Sequence, residues 1–226
     1  MLLSYRILFS VFLSLMPLSA YAEANLPPEE EVRVYAQGDT LYYSGYMDAE
    51  AIEKAKKLLP AAKLFVIDSK GGDVELGIFL GTAVHNADID VKVVKECLSS
   101  CANYVFPAGR KKILGEHSLL GWHGGVSQGI DPEQPLSPMQ KVMFNNYVQR
   151  VLPKEEAFFS LIGVQQVSTT YGQKPQFDRY KECVGWTYSV KAMQALGIKN
   201  IVLEAGTWTP PKQYEGKCVF TIDSIE

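Results

Sequence analysis

The chain has 226 residues, of which 47% are hydrophobic and 21% charged, with 22 basic side chains against 25 acidic ones. That mixture excludes a disordered tail, a coiled coil and a collagen-like repeat. A formal net charge of −3 offers no cationic surface to a run of phosphates and argues against general nucleic-acid binding.

The first 22 residues read as an export signal. Arg6 is their only charge, an apolar run covers Ile7 to Leu18, and Ser19-Ala20-Tyr21-Ala22 places small residues where a signal peptidase cuts. The run is too short for a membrane span, which needs roughly 20 residues. The expectation is therefore a periplasmic or secreted protein with no stable membrane span, whose residues 23–226 form one domain.

Glu23 to Glu31 is a polar lead-in. Val32 to Tyr35 and Leu41 to Ser44 flank Gln37-Gly38-Asp39, the pattern of a hairpin. Asp48 is placed to cap a helix running to about Leu59, before Pro60. Leu64-Phe65-Val66-Ile67 suits a strand buried on both faces, ending in the turn Asp68-Ser69-Lys70-Gly71-Gly72. Asp73 opens a second helix in which Val74, Ile78 and Gly81 share a stripe. Gly77 and Gly81 each weaken that helix by about 1 kcal/mol relative to alanine, so a neighbour is expected to pack very close to them.

Ile89 to Val94 is the next strand, and Cys97-Leu98-Ser99-Ser100-Cys101-Ala102 leaves it for a short apolar helix closed by Pro107-Ala108-Gly109. Lys111 to Leu114 and Leu119 to Trp122 read as two short strands, the second ending in His123-Gly124-Gly125. After a polar loop over Ser127 to Gln134, Met139 to Leu152 is helical and Pro153 is expected to break it before Glu155 to Ile162. Met139, Val142, Met143, Tyr147 and Val151 form a stripe suited to the core, with a subunit interface as the alternative. Ser189 caps a last helix through Ala195, and Ile198 to Leu203 returns as a strand. Alternation of strands and helices predicts an α/β fold with a mainly parallel sheet.

Four cysteines in an exported chain suggest two disulfides. Three pairings are possible; the local one, Cys97 with Cys101, is preferred and leaves Cys183 with Cys218. No cysteine or histidine set has zinc spacing, so no metal is expected.

Two turns follow buried strands and open helices: Gly71-Gly72 and Ser99-Ser100-Cys101. Ligands of parallel sheets collect where strands end, and the first amides of a helix have no partner within it. A serine there, facing a Gly-Gly turn and near a histidine at another strand end, is the raw material of a nucleophile, a base and an oxyanion pocket. The bland readings are a capping serine and a structural histidine at a strand end. His85 and His117 read as structural or solvent-facing.

Ile67-Asp68-Ser69-Lys70-Gly71-Gly72-Asp73-Val74 followed by Gly77 resembles the oxyanion strand and helix of the Clp protease proteolytic subunit. Ser99-Ser100-Cys101-Ala102 with Ala108-Gly109 resembles that family's nucleophile helix, and Leu120-Gly121-Trp122-His123-Gly124-Gly125 its histidine strand. The likeness covers residues 40–125 and, more weakly, the chain to Leu203; more broadly it is to the crotonase-like fold of repeated β-β-α units. Exported Clp-like proteins are the nearer comparison. The resemblance implies Ser100 as nucleophile, with Ser99 the rival, and His123 as base. It implies the Gly72 and Cys101 amides as oxyanion donors. The family's aspartate falls in a region of altered spacing, where Asp178 is the candidate and Glu182 the alternative. The activity implied by the resemblance is that of a serine hydrolase, a peptidase by preference, acting on a peptide or protein without a cofactor. The alternative is an inactive crotonase-like scaffold that binds a peptide or protein partner; acyl-CoA chemistry is disfavoured by export. Related folds also associate through helices like the one from Met139 to Ile162, so a homo-oligomer is allowed.

Overall fold

Apolar runs that alternate with capped helices build a sheet in which six of the seven strands run parallel. The computed structural model describes residues 31–128 and 136–226; the expected leader and most of the polar loop before residue 135 lie outside them. Strands β1 (Arg33–Gln37) and β2 (Thr40–Ser44) form the antiparallel hairpin, and β2 then pairs in parallel with β3 (Leu64–Ser69). Next come β4 (Asp90–Leu98), β5 (Lys112–Leu114) and β8 (Ile201–Leu203), all parallel. The long strand β4 serves two neighbours. Its first half pairs with β5 and its last three residues, Glu96 to Leu98, pair with β6 (Leu119–Gly121).

Helices cover this sheet where their caps predict. In α1 (Ala49–Leu58) the Asp48 carboxylate accepts from the Ala51 amide at 2.8 Å. In α2 (Val74–Ala87) Asp73 accepts from Leu76 at 3.0 Å. In α5 (Val190–Ala195) Ser189 accepts from Ala192 at 3.2 Å. Each such cap satisfies one amide that the helix itself leaves unpaired. After β4 the chain winds a wide turn, Cys101–Val105, in which the Phe106 amide reaches back five residues to the Cys101 carbonyl, and continues as α3 (Phe106–Ala108). This is the close neighbour of α2. A β-carbon on Gly77 would lie 2.9 Å from that of Ser100, and one on Gly81 would lie 2.4 Å from the Tyr104 carbonyl oxygen.

Two expectations need correction. Helix α4 runs unbroken over Pro138–Ile162 with Pro153 inside it. Its buried residues, Val151, Glu155, Phe158 and Phe159, sit on one stripe that crosses the proline, so packing outweighs the single backbone bond the ring removes. The stripe at the start of α4 is not core: Met139 is 70% exposed and Met143 63%, and only Val151 is fully buried.

One element has no counterpart in the sequence pattern, a second, three-stranded sheet whose strands lie on both sides of Leu203 in the chain. Strand β7 (Gly185–Tyr188) pairs in parallel with β10 (Lys217–Ile222), which pairs antiparallel with β9 (Gln213–Tyr214). Both disulfides close as preferred, Cys97 to Cys101 and Cys183 to Cys218, and two disulfides fit a location outside the reducing cytoplasm. No helix among the described residues is long and apolar enough to cross a membrane.

Candidate active site

Strands β3, β4 and β6 are parallel neighbours, so their C-terminal ends lie along one edge of the sheet. From these ends come the Gly-Gly turn, the two serines and His123, the placement at which parallel sheets gather ligands. The Ser99 amide continues the β4–β6 ladder by donating to the Gly121 carbonyl at 2.9 Å. Ser99 then turns the chain with φ +54°, a conformation that costs an L-residue roughly 1–2 kcal/mol. Cys97 and Cys101 close a short ring around that turn, and both residues are fully buried.

The two serines point to different partners. Ser99, half-buried, has its Oγ 2.8 Å from Nε2 of His123. Ser100, 1% exposed, donates its hydroxyl to the Gly72 carbonyl at 2.8 Å, tying the start of the helical turn to the Gly-Gly turn. The serine that meets the histidine is thus the rival of the one the resemblance favours. The turn is tight enough to demand glycine: Gly71 has φ +92°, and a β-carbon there would stand 2.6 Å from the Leu98 carbonyl and 2.9 Å from the Ser100 nitrogen. Gly72 lies against Met47, whose carbonyl would meet a β-carbon at 2.5 Å. Cys101 is buried beneath, in its disulfide.

Ser99 and His123 open on a cavity of about 390 Å³ walled by Leu98, Leu119, Trp122, Val184, Trp186 and Val219. Its far wall belongs to the second sheet, joined to the first where Trp122 and Trp186 exchange backbone hydrogen bonds of 2.8 Å. The Lys70–Glu215 ion pair, 3.3 Å, stands at the same cavity. His123 keeps an exposed edge, yet packing around the ring lowers its pKa below the ordinary 6.5 by desolvation. A neutral imidazole can accept the serine proton.

No carboxylate engages the remaining ring nitrogen, Nδ1, among the described residues. Asp178 is exposed in a short 3-10 segment, Pro175–Tyr180, and makes no hydrogen bond to His123; Glu182 is exposed too. The residue of this region that reaches the histidine is Gln173, whose Nε2 donates to the His123 carbonyl at 3.1 Å. From the other side Asn103 donates its Nδ2 to the Gly124 carbonyl at 2.9 Å. One step further along, the fully buried Glu155 accepts from the Val126 amide at 3.4 Å, from Tyr104 at 2.6 Å and from Gln166 at 2.7 Å. Nothing in the spacing of Gln173, Asn103 or Glu155 marks these three holders in the sequence. The one sequence signal for Ser99 is its place at the middle of the ring that Cys97 and Cys101 close.

Among the described residues there is no group of three or more His, Cys, Asp or Glu able to hold a metal ion. A scan against protein-family models and a search of curated proteins found no match to this chain.

Proposed function

We propose that this protein is an exported serine hydrolase, a peptidase by preference, built on a Clp protease-like member of the crotonase-like fold. The observation that carries the reading is the 2.8 Å contact between Ser99 Oγ and His123 Nε2 in the wall of a largely apolar cavity. Ser99 is then the nucleophile in place of Ser100. His123 takes the hydroxyl proton as Ser99 Oγ bonds to the carbonyl carbon of an amide or ester. The same imidazolium returns the proton to the leaving nitrogen or oxygen as its bond to carbon breaks, and water releases the acyl group by the reverse sequence. The Ser100 amide, next to the nucleophile at the start of a helical turn, replaces that of Cys101 as oxyanion donor, with the Gly72 amide across the turn. Each such donor supplies roughly 3–4 kcal/mol in comparable sites. The strained φ of Ser99 supports the same role, because non-glycine residues held there cluster at functional sites. No cofactor enters these steps. A periplasmic or secreted location, reached through the leader, agrees with the two disulfides.

The test is the rate of labelling by an alkyl fluorophosphonate. Loss in Ser99→Ala and His123→Ala with retention in Ser100→Ala is expected; loss only in Ser100→Ala returns the nucleophile to Ser100. A second reading, a scaffold that binds a peptide or protein without turnover, draws on the absence of a carboxylate at Nδ1 of His123 among the described residues. It requires that folded parent protein not label at all.

A further inference from the structure

We propose that His123 is positioned through its backbone, by Asn103 and Gln173, rather than by a carboxylate on its ring; this rests on the hydrolase reading above. In a serine–histidine site with an acid, the hydrogen bond at Nδ1 sets the tilt of the ring. Here the peptide that carries the ring is gripped instead. Gln173 donates to the carbonyl of His123 and Asn103 to the carbonyl of Gly124, at 3.1 and 2.9 Å. Asn103 grips the other partner as well, since its backbone amide donates to the Ser99 carbonyl at 2.8 Å. One residue, 3% exposed, therefore links the turn that bears the nucleophile to the residue after the base.

Two further observations favour a positioning role for Asn103. Among the described residues its buried Oδ1 has no hydrogen-bond partner, a cost to stability that leucine of similar size would not carry. An amide at this position is therefore poorly explained by packing and well explained by its donor. Asn103 also sits in the wide turn Cys101–Val105, and such five-residue turns are frequent at functional sites. Gln173 is exposed, so its side chain has little packing role to confuse with its grip.

The experiment measures the fluorophosphonate labelling rate per folded molecule from pH 5 to 8, on oxidised full-length chain, for Asn103→Leu and Gln173→Ala. Urea unfolding of each variant is followed in parallel. Asn103→Leu is expected to fold with a midpoint at or below the parental one, because relief of the unpaired Oδ1 is set against the buried Gly124 carbonyl left without its donor. Its labelling should fall about 100-fold across the pH range, the order of loss that a misplacement of about 1 Å brings. Gln173→Ala is expected to lose about 10-fold with its midpoint unchanged, and Gln173→Asn to recover part of that loss. Parental rates in Gln173→Ala, or in folded Asn103→Leu, overturn the proposal and leave the Ser99–His123 reading intact. Parent protein that folds and does not label overturns both.

Discussion

The turn at Ser99 makes a prediction in which the sign alone decides. With φ +54° at Ser99 and φ −58°, ψ −27° at Ser100, adjacent serines occupy the left-handed and right-handed regions. Glycine and alanine both remove the hydroxyl, so comparing the two variants at one position cancels the lost hydrogen bond. At position 99 the left-handed conformation penalises alanine by roughly 1–2 kcal/mol, while the greater freedom of glycine in the unfolded chain returns about 0.5–1 kcal/mol. Ser99→Gly is therefore expected to be more stable than Ser99→Ala by about 0.5–1 kcal/mol. At position 100 the backbone is helical and nothing offsets the entropy, so Ser100→Gly should be less stable than Ser100→Ala by about 1 kcal/mol. Urea unfolding without reductant reads both differences. With an m-value near 2–3 kcal/mol per molar, midpoints differ by about 0.2–0.5 M in opposite directions. An alanine variant at 99 that matches or exceeds the glycine variant would refute the strained turn and remove the support that the strain lends to a functional role for Ser99.

Three other outcomes rest on the same geometry. Gly81→Ala gains about 1 kcal/mol of helix propensity but drives a methyl toward the Tyr104 carbonyl at 2.4 Å; backbone cannot rotate away, overpacking costs about 1–3 kcal/mol, and a stabilised variant would contradict the close approach. The disulfides should differ in worth, about 4 kcal/mol for the 35-residue separation of Cys183–Cys218 against about 2 kcal/mol for the four-residue Cys97–Cys101; paired alanine variants compared by unfolding check the order, and the reverse order refutes it. Burial lowers the His123 pKa from 6.5, so the neutral base persists below that pH and labelling should reach half its maximum below pH 6.5. The folded state then binds its proton less readily than the unfolded chain, and acid costs stability as the pH falls through 6.5 toward the lowered value. A labelling midpoint above 6.5 would signal a carboxylate on the ring and return Asp178 or Glu182 to consideration.

Much of the fold is legible in the sequence because local chemistry decides it. Asp48, Asp73 and Ser189 announce helix starts by being short acceptors before apolar periodicity, and all three cap as expected. Gly77 and Gly81 announce a close neighbour, and Cys97 and Cys101 a local clamp. Pro153 misleads because its local rule is overridden by a buried stripe on both sides of it. Met139 and Met143 mislead because periodicity shows that a face is apolar and not that anything covers it. The second sheet escapes the sequence pattern because β7 and β10 pair across some 30 residues of loop and short elements. At the site, the strand ends and glycines are readable, but which of two adjacent serines meets His123 depends on one backbone angle. Asn103 and Gln173 act through carbonyls whose direction only the folded chain fixes.

The central claim is that Ser99, activated by His123, is the nucleophile. Its most direct measurement is to label oxidised, folded protein with the fluorophosphonate, then reduce and alkylate the Cys97–Cys101 disulfide and map the adduct by fragmentation between Ser99 and Ser100. The adduct is expected on Ser99 and is expected to be absent from the His123→Ala variant. An adduct on Ser100, or an adduct on Ser99 that forms equally fast without His123, would contradict that claim.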